Sequence, residues 1–355
     1  MFSKIYSDII NQIKEDQYDF LRFDLIDQAK ISNQAKNISS KCQTLVLIGF
    51  GASSLNVRAL LSSKALLTKK VIYLDSLDQL DIDEKLGNID LDKSVFFALS
   101  KSGNTNETYL LTKYVLEILS ISPKNLYVIA PLGDNLLFKL AESFGANCLK
   151  HDNLISGRFG VISNASLLPA TVAGVDVHKI ITCAVQRVAD IVNGDSSICS
   201  MAEYYLEQYS LNRKIFVMFN YCHQLDGLCR WQQQIIAESL GKNGFGITPI
   251  IAKGTLDQHS QLQLYLEGPD DKFYKIIANT KENSDMANSL ANHANNIYRA
   301  LTIVQRPVKL ESFGYIDEEV VVKQIINTML NAVIIATYQK INPLDQPSID
   351  KYKLS

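Results

Sequence analysis

Two stretches of small and hydroxyl residues carry the first sign of chemistry. In LVLIGFGASSLNVRAL, Gly49, Gly51, Ala52, Ser53 and Ser54 stand between a β-branched run and a helical pattern. In VFFALSKSGNTNETYLL, Ser100, Lys101, Ser102, Gly103, Asn104 and Thr105 stand in the same place. A loop that leads a strand into a helix N-terminus presents backbone N–H groups, and hydroxyls beside them can both donate and accept. Such a loop suits a phosphate, which carries about −1.5 to −2 charges at neutral pH. Downstream, ISGRFGVISNASLLP sets Arg158 in a turn, where a cation can stabilise developing negative charge. WQQQIIAESLGK puts Glu238 seven residues after Trp231 and three after Ile235, near the apolar face of a helix, as a candidate general base. GTLDQHSQLQLYLEGPDDKF holds His259, the side-chain type best suited to moving protons near neutrality.

Taken singly, each feature has an ordinary explanation. Hydroxyl and amide residues cap helices, helix glutamates are mostly solvated, and an isolated histidine or a turn arginine is more often structural or exposed. Nucleotide readings are weak. Gly49-Phe50-Gly51 is followed by Ser54 where a dinucleotide fingerprint has its third glycine, which leaves Asp75 as the candidate ribose acid, and the second loop lacks P-loop spacing. Cys222, His223 and Cys229 fit no standard zinc spacing, and the cysteines read as buried structural thiols.

The elements that must position these residues follow from periodicity. Short apolar runs at 44–48, 71–74, 95–99 and 126–130 alternate with amphipathic segments such as 55–67 and 107–119. Nearly continuous apolar strands alternating with helices predict a parallel sheet covered on both faces. After a mostly helical stretch over 172–214 the alternation resumes, with strands at 214–220, 247–252 and 272–278 and helices at 224–240 and 317–340. The first forty residues predict an amphipathic helix with Ile5, Ile9, Ile10 and Ile13 on one side, then a second helix ending near Lys41. Two αβα halves are expected to share a cleft, with their boundary within 150–195.

Composition bounds the function. The 355 residues amount to about two domain equivalents, and 47% hydrophobic content supports a sizeable core. Lys and Arg number 35 against 37 Asp and Glu, so no broad basic field draws nucleic acid or anionic lipid, and neither is expected as a partner. Six scattered cysteines without Cys-x-x-Cys point to a reducing cytosol. The start lacks a secretory apolar core and no run approaches the ~20 apolar residues of a membrane helix, so a cytoplasmic enzyme or ligand-binding regulator is expected.

Read together and in order, the segments resemble the glucose-6-phosphate isomerase family over about 44–353. LIGFGASSL resembles its first sugar-phosphate loop and SKSGNTNET its second. SGRFGVISNASLLP resembles its arginine motif, WQQQIIAESLGK the catalytic-glutamate segment, GTLDQHSQLQLYLEGP the histidine segment and INPLDQPSIDKYK the C-terminal motif. The resemblance implies an α/β fold of two sugar isomerase domains, each a doubly wound, flavodoxin-like parallel sheet in three αβα layers. The domains are expected at 44–170 and 171–340, with an N-terminal helical segment at 1–43 and an active-site tail at 341–355.

It implies reversible interconversion of glucose 6-phosphate and fructose 6-phosphate through a cis-enediol, in glycolysis and gluconeogenesis, with no metal or organic cofactor. Carried over by position, Glu238 is the base, His259 and Lys353 assist at the ring oxygen, and Arg158 stabilises the enediolate. Ser100, Ser102, Thr105 and the backbone at Lys101 hold the phosphate, Ser53 lines the same pocket and Gln346 contacts the sugar. A homodimer is implied, with His259 supplied by the neighbouring subunit. Two alternatives are an enzyme that also takes mannose 6-phosphate, and a sugar-phosphate sensor without turnover. The sequence departs from the family at Ala52, Asn56 and Ser156, where glycine is usual. It also ends at Ser355, two residues after Lys353, where members usually continue through a final helix; Lys351 is the competing C-terminal lysine.

Overall fold

The computed structural model describes residues 2–151, 157–280 and 284–353; Ser156 lies outside them. The chain divides into two compact units, Tyr18–Val185 on one hand and Met1–Gln17 with Gln186–Ser355 on the other.

In the unit Tyr18–Val185, five strands, β1 (Thr44–Ile48), β2 (Lys70–Leu74), β3 (Ser94–Leu99), β4 (Leu126–Ala130) and β5 (Asn147–Lys150), form a sheet of order β2-β1-β3-β4-β5. Every neighbouring pair is parallel, with Val46 opposite both Ile72 and Phe96. The alternation of side chains along a strand sends Val46, Ile48, Phe96 and Ala98 to one face. There they pack with Leu111 and Val115 of the helix Asn106–Ile118 and Leu137 and Ala141 of the helix Leu136–Phe144. Leu45, Leu47 and Phe97, on the opposite face, are as fully buried. Burial on both faces is why these strands read as continuous apolar runs.

The second unit repeats the pattern with β6 (Ile215–Asn220), β7 (Thr248–Lys253), β8 (Lys272–Asn279) and β9 (Val308–Phe313), ordered β7-β6-β8-β9 and all parallel. Val217, Phe219, Ile276 and Ala278 pack against Ala294, Ile297 and Leu301 of the helix Asp285–Ile303. On the other face Tyr205, Phe216 and Phe273 form an aromatic cluster with ring centroids 4.8 to 5.4 Å apart. The helix Glu318–Gln339 is long and apolar enough to span a membrane, at a mean hydropathy of 1.6, but most of it is buried inside the protein. Its apolarity is that of a core helix.

The seven strands expected from sequence are present with ends shifted by a residue or so. The two that periodicity did not show, β5 and β9, each lie at one edge of a sheet, and their sequences NCLK and VKLESF are only partly buried. An edge strand packs fewer neighbours and so needs no continuous apolar run. The first-loop helix is also shorter than expected and starts earlier, at Ala52–Leu61.

Arg187 ties the helical part of the second unit to its core helix. Its guanidinium donates to Asp195 at 2.5 Å and to Asn327 at 2.9 Å. Hydrogen bonds from Arg187, then from Ser197, hold the Asp195 carboxyl far below its ordinary 3.8. A carboxyl depressed on folding stabilises above its unfolded value and loses that contribution as pH falls through the depressed one. Asp195→Asn is therefore expected to lower the urea midpoint at pH 7, and the gap from wild type should close as pH falls below about 4. A gap independent of pH would show that the carboxylate charge contributes nothing.

Candidate active site

A sheet of order β2-β1-β3-β4-β5 has its topological switch point between β1 and β3, the place where ligands bind beyond the carboxyl ends of parallel strands. Both hydroxyl-rich loops leave the sheet there. A methyl on Gly49, just past β1, would sit 3.0 Å from Ser53 Cβ and 3.2 Å from the Leu99 carbonyl at the end of β3, so the loops lie side by side. The helices they open, Ala52–Leu61 and Asn106–Ile118, start without a side-chain cap, and so does Asn164–Val172 after the arginine motif. Elsewhere in the unit, Asp27, Asp78 and Asn135 cap the helices they precede. Two of these uncapped starts, those of Ala52–Leu61 and Asn106–Ile118, stand at the switch point, where an anion gains most from them.

The second loop is braced from within. Ser100 is 1% exposed, and its hydroxyl accepts the Gly103 N–H at 3.0 Å and lies 3.0 Å from the Thr105 hydroxyl. Ser102 Oγ accepts the Asn104 N–H at 3.1 Å. Gly103 has φ +69°, and a Cβ there would come within 2.1 Å of Asn135 Oδ1, so only glycine fits. The first loop is fixed by Arg58, which donates to Asp75 at 2.7 Å and to Ser54 at 3.1 Å while its guanidinium lies 3.5 Å over the Tyr73 ring. Asp75 is thus engaged by Arg58 and Ser54, which removes the candidate ribose acid of a dinucleotide reading.

Arg158 meets these loops through Gly157. A methyl on Gly157 would lie 3.4 Å from Ala52 Cβ and 3.9 Å from Lys101 Cδ, and Asn56 Nδ2 donates to the Gly157 carbonyl at 2.9 Å. Arg158 itself is 3% exposed. Lys101 is half-buried, and burial first, then the positive charge of Arg158, push its ammonium below the usual lysine range. Two cations that repel each other beside hydroxyls and uncapped helix starts are a set whose chemistry suits a multiply charged anion.

The remaining candidates belong to the other unit. Glu238 is half-buried in the last turn of the helix Asp226–Leu240, where Gln234 Nε2 donates to its carboxylate at 3.0 Å. His259 is exposed on the short helix Leu256–Ser260 that follows β7. The turn before it is strained, with the β-branched Thr255 at φ +63°, and a Cβ on Gly254 would meet the Tyr221 ring at 2.6 Å. Asp257 stabilises this turn, accepting from the Lys253 N–H at 2.6 Å, Ser260 at 2.9 Å and Gln261 at 3.0 Å. Burial alone would raise the Asp257 carboxyl, but these donors prevail and hold it below the usual range. Gln346 is half-buried, and its carbonyl accepts the Ile349 N–H at 3.0 Å to open the helix Pro347–Lys353, which contains Lys353. Cys222 and Cys229 are buried, and burial raises the Cys229 thiol to about 12.

The structure therefore gathers Ser53, Ser100, Lys101, Ser102, Thr105 and Arg158 in the unit Tyr18–Val185, while Glu238, His259, Gln346 and Lys353 lie in the second. Sequence reading noticed Asn56 only as a departure from glycine. The available signal was its position four residues after Ala52, on the same face of the helix.

The fold is shared with sugar-phosphate isomerases of known structure. A glucose-6-phosphate isomerase from Chlamydia trachomatis superposes with a TM-score of 0.77 at 19% identity over 92% of this chain and 71% of its own. A hypothetical protein from Thermus thermophilus superposes at 0.85 with 23% identity over 99% and 93%. No family model matches the sequence. A probable glucose-6-phosphate isomerase from Methanococcus maripaludis is 30% identical over 307 residues, which cover 80% of this chain and 68% of the relative. The chain belongs to the glucose-6-phosphate isomerase family.

Asn56→Ala removes one of two donors to the Gly157 carbonyl, leaving the Gly160 N–H at 3.1 Å. We expect the unfolding free energy to fall by about 0.5–1.5 kcal/mol in urea titration and calorimetric binding of inorganic phosphate to weaken. Unchanged stability and affinity would show that the contact does not support the arginine loop.

Proposed function

We propose that the protein interconverts glucose 6-phosphate and fructose 6-phosphate by proton transfer through a cis-enediol, within glycolysis and gluconeogenesis. The observation that carries this reading is the meeting of Lys101, Arg158 and uncapped helix starts at one sheet switch point. A dianionic sugar phosphate matches that set.

In this reading the phosphate rests on Ser102, Thr105, Ser53 and the backbone at Lys101. Ser100 joins them, and its bonds to the Gly103 N–H and the Thr105 hydroxyl also hold the loop's shape. These contacts are equal in ground and transition states, so they fix position rather than lower the barrier. His259 and Lys353 help open the ring, and Gln346 contacts the sugar. The Glu238 carboxylate takes the proton from C2 of the open-chain aldose and returns it to C1. Arg158 faces the negative charge of the enediolate between the two transfers, where stabilisation raises the rate.

We further propose the sugar isomerase domain division 44–170 and 171–340, and a homodimer in which His259 serves the neighbouring subunit's site. The dimer is supported by the surroundings of His259: it is exposed, and Leu256 and Leu264 on the same segment are 63% and 48% exposed. A second copy covering that segment would remove apolar surface from water.

In a coupled assay, purified protein should convert fructose 6-phosphate. Glu238→Gln should lower kcat by about 10²- to 10⁴-fold while calorimetric affinity for the substrate is retained. A Glu238→Gln enzyme with wild-type kcat would falsify the base assignment, and binding without turnover by the wild type would favour the sensor.

A further inference from the structure

Four residues past Glu238, the side chain of Lys242 is 9% exposed. Its backbone is fixed in a tight turn, donating to the Phe245 carbonyl at 3.0 Å and accepting from the Phe245 N–H at 2.8 Å. Asn243 and Gly244 in the turn both have positive φ, at 52° and 75°. From this anchor the ammonium reaches the C-terminal segment. It donates to the Asn342 carbonyl, to the Asp345 carbonyl at 2.8 Å and to the Asp345 carboxylate at 2.6 Å. Three acceptors match the three N–H groups of an ammonium, which offsets the loss of water around a largely buried charge.

Residues 342–345 are thus wrapped round one cation, and the next residue is Gln346. The segment is largely exposed. Asn342, Leu344, Asp345, Pro347, Ser348 and Ile349 are exposed, with Leu344 at 39% and Ile349 at 44%. Pro343 and Pro347 restrict the backbone on either side of the clasped stretch. Fixing four residues therefore fixes the direction in which Gln346 and the helix Pro347–Lys353 leave. The same lysine is tied by a short turn to the last turn of the helix that bears Glu238.

We propose that Lys242 is a positioning residue that sets the tail carrying Gln346 in register with the helix end carrying Glu238. The inference rests on the assignment of Glu238 and Gln346 to the isomerase site. Lys242 touches no reacting atom; it acts through Gln346.

The test combines hydrogen exchange with a double-mutant cycle on the full-length protein. Lys242→Met keeps the aliphatic stem and removes the donors. In that variant amide exchange over 342–349 should quicken by about tenfold or more, and kcat/KM should fall by about 10- to 100-fold, the cost of a small misplacement. Lys242→Arg, which keeps charge and donors, should recover part of the loss. In a Gln346→Ala background, Lys242→Met should cost less than about twofold further, because residues acting as a unit are not additive. Wild-type exchange in Lys242→Met, an equal loss in both backgrounds, or a Gln346→Ala variant with no defect would each overturn the proposal. The exchange arm needs no turnover and Glu238→Gln reports on the base separately, so failure of the clasp and failure of the isomerase reading give different results.

Discussion

Lys101 and Arg158 repel each other, and much of the unit Tyr18–Val185 is arranged to hold them together all the same. Neither side chain is free to swing into solvent: Arg158 is buried and Lys101 half-buried. Burial and like charge both destabilise the ammonium, as its lowered pKa records. A chain can keep such an arrangement only if the backbone around it is over-determined. The Asn56 bond to Gly157, the Arg58 and Asp75 pair beneath the first loop and the Ser100 bonds within the second supply that determination. Each restrains a loop without consuming the cations or capping the helix starts beside them.

The sheet comes first in this dependence. Parallel order β2-β1-β3-β4-β5 forces the connections from β1 and β3 to opposite sides, which opens a crevice at their carboxyl ends. Full burial of β3 and nearly full burial of β1 makes those ends rigid platforms. Loops on rigid strands can keep hydroxyls and backbone N–H groups aimed without an anion present, so little reorganisation is needed when one binds. The second unit repeats the strand order, but its distinctive chemistry is elsewhere: at a helix end with Glu238, at a strained turn before His259 and in a clasped tail.

Which parts were legible in the sequence follows from the range of the interactions that determine them. Local composition reveals every strand that carries an apolar run, the edges β2 and β7 included; β5 and β9 take their place from a neighbour on one side, and NCLK and VKLESF carry no such run. The hydroxyl loops were legible because strand, loop and helix start are contiguous. Their inner division of labour was not. Sequence reads Ser100 as a phosphate ligand like Ser102, and the bonds that Ser100 makes with Gly103 and Thr105 inside the loop were not visible in it. Asn56 and Lys242 were illegible for a different reason, since their partners lie 101 residues away in one case and 100 to 103 in the other.

The two described departures from the family pattern belong together physically. A glycine at 52 and another at 56 would leave Gly157 facing two bare backbone positions. Here the Ala52 methyl lies at ordinary contact distance from where a Gly157 side chain would begin, and Asn56 holds the Gly157 carbonyl. A methyl and an amide replace two hydrogens and turn an open approach into a packed, bonded one. The added bulk lies against the arginine loop at Gly157. An arginine loop fixed by a side-chain bond depends less on a ligand to order it. The cost is an Asn56 Oδ1 buried without a partner among the described residues, a polar group that an apolar contact would not have stranded.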